Sequence, residues 1–305
     1  TAALLARAAT LPDREALVLA DSIKGGFSAG RVTLATFLDA MTALAAHPNR
    51  QVSTALGLDL IDIINRMADE PQRAELRRRL GAVYAPRLAA TGALLGAKRN
   101  AADTADVKLL RRTLLYIVAL GARDAALRAR LADAAVQSLK DPAWLDSGLR
   151  DRVWAVGVQE QSPGVVDAMV AALRGKDALA RNQAAVALGL ADDPAVSATV
   201  QKIALDPAVP ISEVFTVLTL EMQQPELRAA TWDWLQQNFA AVGARVPGIA
   251  KPFLLQLAAP FCDAAAEAQV KEFSDLKVRE LGAGELEAGR TVESIGLCTA
   301  LKAAH

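Results

Sequence analysis

Residues 162–207, SPGVVDAMVAALRGKDALARNQAAVALGLADDPAVSATVQKIALDP, decide how the rest of the chain is read. Val165, Val166, Met169, Val170 and Leu173 recur at the three-and-four spacing of one helix face. Leu179, Gln183, Val186 and Leu190 repeat that spacing on the next segment, and Val196, Val200, Ile203 and Ala204 on a third. Between them stand Ser162-Pro163, Gly175-Lys176-Asp177, Asp192-Asp193-Pro194 and Asp206-Pro207, which put Ser or Asp at an N-cap and Pro in a first helical turn. Each segment is too short and too alanine-rich to bury its apolar face alone, so its stability has to come from stacking on its neighbours. The pattern predicts an all-α, HEAT- or armadillo-like solenoid, a curved superhelix of stacked antiparallel helix pairs.

Composition agrees with that reading. The 305 residues are 52% hydrophobic but only 4% aromatic, so the apolar character comes from Ala, Leu and Val. Strong helix formers dominate and β-branched runs flanked by turn dipeptides are scarce. Lys plus Arg and Asp plus Glu balance at 34 each, which removes any electrostatic case for a nucleic-acid partner or an anionic membrane surface. The longest apolar runs, Leu114 to Gly121 and Phe253 to Phe261, fall short of the roughly 20 residues that span a bilayer. The expectation is a soluble protein, cytoplasmic or periplasmic. Beginning at Thr1 without Met or an apolar leader, the chain reads as processed or as a fragment.

Outward from the central stretch the same grammar continues. Leu11-Pro12-Asp13 opens a helix with Ala16, Leu17, Leu19, Ala20 and Ile23 inward, which Gly25-Gly26 is expected to end, and Ser28-Ala29-Gly30 to open the next, with Leu34, Phe37, Leu38, Met41 and Leu44 as its face. His47-Pro48-Asn49 stops that helix and Val52 to Met67 forms another. Residues 72–95 are the most basic part of the chain, and Arg73, Arg77, Arg78, Arg79 and Arg87 read as a solvated face with Glu70 and Glu75 nearby. The polar run 96–103 reads as a loop and as a soft internal boundary, near 96–105, within a single domain of residues 1–305. Helices follow over Val107 to Gly121, Ala125 to Leu139 and Ser147 to Gln159, then Ile211 to Gln223 and Glu226 to Val242, where Trp232, Trp234 and Phe239 are expected to pack together. Lys251-Pro252-Phe253 starts a helix running to Phe261 or Cys262, and Val292, Ile295, Leu297 and Leu301 are expected to cap the last one.

Reactive chemistry is scarce. The two histidines are His47, in a helix-ending turn, and His305, so the zinc-peptidase H-E-x-x-H helix cannot be written with them. No G-x-S-x-G elbow, P-loop or G-x-G-x-x-G fingerprint is present. The acid pairs Asp192-Asp193 and Asp69-Glu70 precede prolines, where carboxylates cap helix amides. Cys262 and Cys298 read as buried, inert thiols on apolar helix faces; spacing does not say whether they are joined, and the redox compartment stays open.

In this order the landmarks resemble those of the C-terminal helical domain of the gluzincin zinc aminopeptidases, relatives of aminopeptidase N, puromycin-sensitive aminopeptidase and the endoplasmic-reticulum aminopeptidases. Asp13-Arg14-Glu15-Ala16-Leu17-Val18-Leu19-Ala20-Asp21, followed by a glycine turn, resembles the family's R-x-x-L-x-x-D-x-x-x-x-A-x-x-G opening. Arg111-Arg112-Thr113-Leu114-Leu115 is similar to its R-x-x-x-L helix. Trp154 to Val158 and Arg181 to Gly189 resemble its mid-domain pair. Trp232-Asp233-Trp234-Leu235-Gln236-Gln237-Asn238-Phe239 is similar to its W-x-F-L-x-x-N-W helix, the most specific of the set, and Val292-Glu293-Ser294-Ile295 resembles its closing x-E-x-I helix. The chain departs at Asn49-Arg50-Gln51-Val52, where many relatives carry an acidic-Trp pair, and at Ala97, where Trp is absent.

The resemblance implies a domain that carries no catalytic or metal residue itself and serves a zinc-dependent aminopeptidase acting on peptide N-termini. The zinc would belong to a catalytic domain of the same polypeptide that this chain does not contain. The helical domain would then close over the active site, shaping access and peptide length. Arg111, Arg150 and Arg181 are the candidates for contact with a peptide carboxylate, although each reads first as an ordinary intramolecular partner. The alternative is a free-standing HEAT-like scaffold that binds another protein, and an enzyme with an unrecognised active site is the third reading.

Overall fold

The structure, a computed structural model, describes residues 2–92, 94–95 and 103–304. Among them there are helices and no strands, so the all-α expectation holds. No described helix is long and apolar enough to cross a membrane. The chain divides into two compact units, residues 1–128 with 144–148 and 301–305, and residues 129–143 with 149–300. Residues 96–102, where the sequence places a loop and an internal boundary, lie outside the described residues, as does His305.

The first unit is built from α1 (Ala2–Leu5), α2 (Asp13–Ser28), α3 (Leu34–Ala45), α4 (Arg50–Arg66), α5 (Glu70–Ala90) and α6 (Ala105–Leu115), which runs on as a π-helical stretch over Tyr116–Gly121. Its caps are short polar side chains at the starts: Thr33 accepts from the Thr36 amide, Asn49 from Gln51 and Val52, Asp69 from Gln72 and Thr104 from Val107. Phe37, Met41, Leu44, Leu56, Leu60, Ile64, Leu80, Leu114, Leu115 and Ile117 are buried together as its core. Tyr84 joins them, its hydroxyl donating to the Ser53 carbonyl at 2.9 Å. Its ring lies so close to α4 that a Cβ at Gly57 would fall 2.6 Å from it.

One boundary differs from the sequence reading. Gly25-Gly26 does not end α2, which continues to Ser28, and Ser28-Ala29-Gly30 closes that helix instead of opening the next. Gly26 is helical because a neighbour needs its space: an added Cβ would meet the Val32 side chain at 2.6 Å. The left-handed residue that turns the chain is Gly30, at φ +67°, and α3 starts after the Thr33 cap.

The second unit holds the residues of α7 (Ala125–Lys140) from 129 onward, then α8 (Arg150–Gln159), α9 (Val165–Leu173), α10 (Ala178–Gly189), α11 (Pro194–Ala204), α12 (Ile211–Gln223), α13 (Arg228–Ala244), a 3-10 stretch over Gly248–Ala258, α14 (Ala264–Leu281) and the residues of α15 (Glu285–Ala304) up to 300. The three helices read from residues 162–207 are α9, α10 and α11, with Asp177 and Asp193 capping the second and third. Of these, α10 is central and packs against α8, α9 and α12. It therefore buries Gln183, Ala184, Ala185, Ala187, Leu188 and Gly189, more than a single stripe. Gly189 permits the close approach of α12, because a Cβ there would lie 2.8 Å from the Leu220 side chain and 3.0 Å from the Val217 carbonyl oxygen. Leu179, expected on the buried face, is 58% exposed in the first turn of α10, outside that crossing.

Side chains tie successive layers at a near-constant separation. Gln159 donates to the Leu190 carbonyl across 31 residues, and Gln161 to Asp193, Arg174 to Asp206 and Arg181 to Glu213 each across 32. These ties join α8 to the end of α10, α9 to the turn after α11, and α10 to α12.

Trp232 is fully buried on α13, edge-on to Phe273 of α14 at 5.4 Å, and Phe239 meets the same ring at 5.6 Å, whereas Trp234 is only half-buried. The stretch after Pro247 is a 3-10 helix that begins at Gly248 and ends at Ala258, because Pro252 inside it offers no amide to an α-helical ladder. In α15 the buried stripe is Ala288, Thr291, Ile295 and Cys298. Leu297, expected to cap this end, is 65% exposed, and Val292 and Leu301 are half-buried at the stripe's margin.

Cys262 and Cys298 are not inert thiols. They form a disulfide, with Cα atoms 5.1 Å apart across a separation of 36 residues. A loop of that length, closed covalently, is worth about 3–4 kcal/mol in chain-entropy terms.

Candidate functional site

The three arginines singled out from the sequence are all anchored. Arg111, on α6 and nearly buried, pairs with Asp103 at 2.6 Å and donates to the Thr91 carbonyl at the end of α5. Arg150, at the start of α8, donates to the Pro142 carbonyl at 2.6 Å, and its Nε has no partner. Arg181 on α10 bonds Glu213 of α12 at 2.9 Å and the Gly175 carbonyl at 3.0 Å. Arg111 belongs to the first unit and the other two to the second.

Arg181 has a measurable structural role. Burial disfavours the charged form of Glu213, yet hydrogen bonds from Ser212 and Arg181 outweigh it and hold the carboxyl below its ordinary range. Arg181→Ala leaves that nearly buried carboxylate without its cation. Urea unfolding at pH 7 should show a loss of about 1–3 kcal/mol, largely restored by adding Glu213→Gln. An unchanged unfolding midpoint in the single variant would show the pair to be dispensable.

Three arginines of the basic stretch on α5 are paired with its own acids. Arg73 pairs with Glu70, and Arg78 and Arg79 both bond Glu75, whose carboxyl their hydrogen bonds hold down to about 2. Arg87 reaches the His47 carbonyl, and burial lowers its pKa.

His47 is a structural residue. Its Nδ1 accepts from the Asn49 amide at 3.0 Å, and its Nε2 bonds the Leu11 carbonyl at 2.9 Å, so both ring nitrogens are occupied in a buried turn. That geometry leaves no lone pair for a zinc ion. Among the described residues no group of three or more His, Cys, Asp or Glu is placed to hold a metal. The residues present do not fit the zinc that the resemblance implies for the parent enzyme.

A feature missed in the sequence is a groove of about 790 Å³ in the first unit. Leu4, Leu11, Val18 and Val32 contribute its apolar walls, with Arg14 and Arg31 beside them. Val18 is 64% exposed although it sits in an apolar run, LVLA, and lies off the stripe Ala16, Leu19, Ala20 and Ile23 that α2 buries. Such an off-stripe Val was the one legible signal of the groove. None of the three candidate arginines lines it.

The class these observations define is an all-helical domain whose candidate arginines are each held by a neighbouring element. The chain matches the ERAP1-like C-terminal domain family over residues 1–294 and belongs to that family. It is thus an aminopeptidase C-terminal domain, a family found in multi-domain aminopeptidases. No curated protein matches the chain.

Proposed function

We propose that this domain serves, without chemistry of its own, the zinc-dependent catalytic domain of the same polypeptide, an enzyme that removes N-terminal residues from peptides, by limiting which peptides reach the active site. The family match along nearly the whole chain carries this reading. The ties repeated at 31 or 32 residues support a HEAT-like stack that offers a long surface of side chains to a peptide. Of the three arginines, Arg150 is the one we assign to a peptide carboxylate: it is held by a single carbonyl bond, whereas Arg111 and Arg181 are bound up in ion pairs.

A ladder of peptides of increasing length, offered to the parent enzyme with and without this domain, tests the proposal. Removal should flatten the dependence of kcat/KM on peptide length while leaving hydrolysis of a single aminoacyl amide nearly intact. A length profile unchanged by removal would instead favour a scaffold that binds another protein.

A further inference from the structure

We infer that the chain matures in an oxidising compartment, where a disulfide-bearing oxidant closes the Cys262–Cys298 bond and so fastens α15 to the segment that precedes α14 within the second unit. This goes beyond the proposed role and does not depend on it.

The argument starts from how little else holds these two helices. The 18 residues of α14 bury only Ala266, Val270 and Ser274, and the 20 residues of α15 only Ala288, Thr291, Ile295 and Cys298. Val270 and Ile295 are the only large aliphatic side chains in those stripes. Two further attachments hold α14 and the turn after it. Phe273 meets Trp232 and Phe239, with the Lys277 ammonium 5.3 Å and 5.5 Å over the rings of Phe273 and Phe239. Gly284, at φ +107°, abuts Pro252 so closely that a Cβ would stand 2.9 Å from it. On α15 itself Gly296 lies against Glu267 of α14, where an added Cβ would stand 3.0 Å from the carboxylate, and the covalent bond is placed half a turn further along the helix, at Cys298.

Burial of the two cysteines separates a permanent fastening from a switch. Cys262 is 4% and Cys298 8% exposed, and the bond, once formed, is shielded from attacking thiolates. It therefore has to form before α15 docks. One cysteine thiolate attacks a sulfur of the oxidant's disulfide and expels a thiolate; the second cysteine, as thiolate, attacks the first at the mixed disulfide. The oxidant leaves as a dithiol carrying the two protons that the cysteines lost, and the cysteine pair has given up two electrons. A glutathione-reduced cytosol disfavours this exchange, whereas an extracytoplasmic compartment drives it.

The test is to quench cells that naturally make the parent protein with acid, alkylate under denaturing conditions, and read the mass of the peptides carrying the cysteines. The expected result is a cross-linked pair with no alkyl group on either cysteine. Two alkylated thiols would overturn the inference. For the fastening itself, hydrogen exchange is followed in the oxidised protein and in protein reduced by a phosphine in denaturant, its thiols kept reduced, and returned to native buffer, alongside a Cys262→Ala/Cys298→Ala variant. Amides of α15 should exchange at least about tenfold faster after reduction and in the variant, with α2–α4 unchanged. Equal α15 exchange in oxidised and reduced protein would overturn the fastening role, and the reduced wild-type chain gives this readout even if the variant does not fold.

Discussion

Trp232→Ala is expected to destabilise the second unit by about 3–5 kcal/mol. The indole is fully buried in α13 and, with Phe239, is one of the two rings that Phe273 of α14 packs against edge-on. Truncation opens a cavity between α13 and α14 and removes an edge-to-face contact worth about 0.5–1.5 kcal/mol beyond its area. The indole Nε1 has no hydrogen-bond partner in its buried position. Trp232→Phe keeps much of the packing while discarding an unsatisfied donor whose burial costs about 1–3 kcal/mol, so it should be far milder than alanine. Thermal or urea unfolding of both variants measures the contrast. Equal losses for Phe and Ala would place the weight on the indole N–H and contradict this account.

The second large effect concerns protons. Glu221 of α12 is fully buried, and burial pushes its carboxyl up from 4.5 to about 8; hydrogen bonds from Ser197 and Thr231 favour the ionised form but do not offset the lost solvation. Its Oε1 has no partner. Below about pH 4.5 the group is protonated in both folded and unfolded chains and contributes nothing to pH dependence. Between about 4.5 and 8 the unfolded chain releases a proton that the folded chain retains, so stability falls as pH rises; above about 8 the fall levels off. At about 1.4 kcal/mol per tenfold change in proton affinity, the full span is on the order of 4–5 kcal/mol. Glu221→Gln keeps the shape and removes the titration. Its advantage over the wild type should be small at pH 4.5, grow steadily, and be largest above pH 8. A variant whose stability tracks the wild type across that range would show that Glu221 reaches water.

Much of this architecture was legible because its signals are local. Asp69, Asp177 and Asp193 announced helix starts, and each caps the helix that follows it. Val165, Met169 and Leu173, and Val196, Val200, Ile203 and Ala204, are buried as their spacing required. What the sequence concealed depends on neighbours brought together by folding. A glycine that stops a helix and one that lets Val32 approach look alike in a string, and Gly26 proved to be the second kind. Leu179 and Leu297 keep helical spacing with buried residues but face outward, since the covering helices lie elsewhere. The disulfide joins cysteines 36 residues apart, a separation that no spacing rule singles out. Of the candidate site, the arginines were visible as residues, but their ties to Asp103, the Pro142 carbonyl and Glu213 were not, because each partner comes from another element.

The chain is an aminopeptidase C-terminal domain, and the proposal built on it is that the domain serves a zinc-dependent catalytic neighbour without chemistry of its own. Hydrolysis of an aminoacyl amide by the purified chain in zinc-containing buffer, with and without a chelator, tests it most directly, run beside the same chain mixed with a separately expressed catalytic half. The account predicts no turnover by the chain alone and an altered turnover or length preference of the catalytic half when the chain is added. Chelator-sensitive hydrolysis by the chain alone would contradict it.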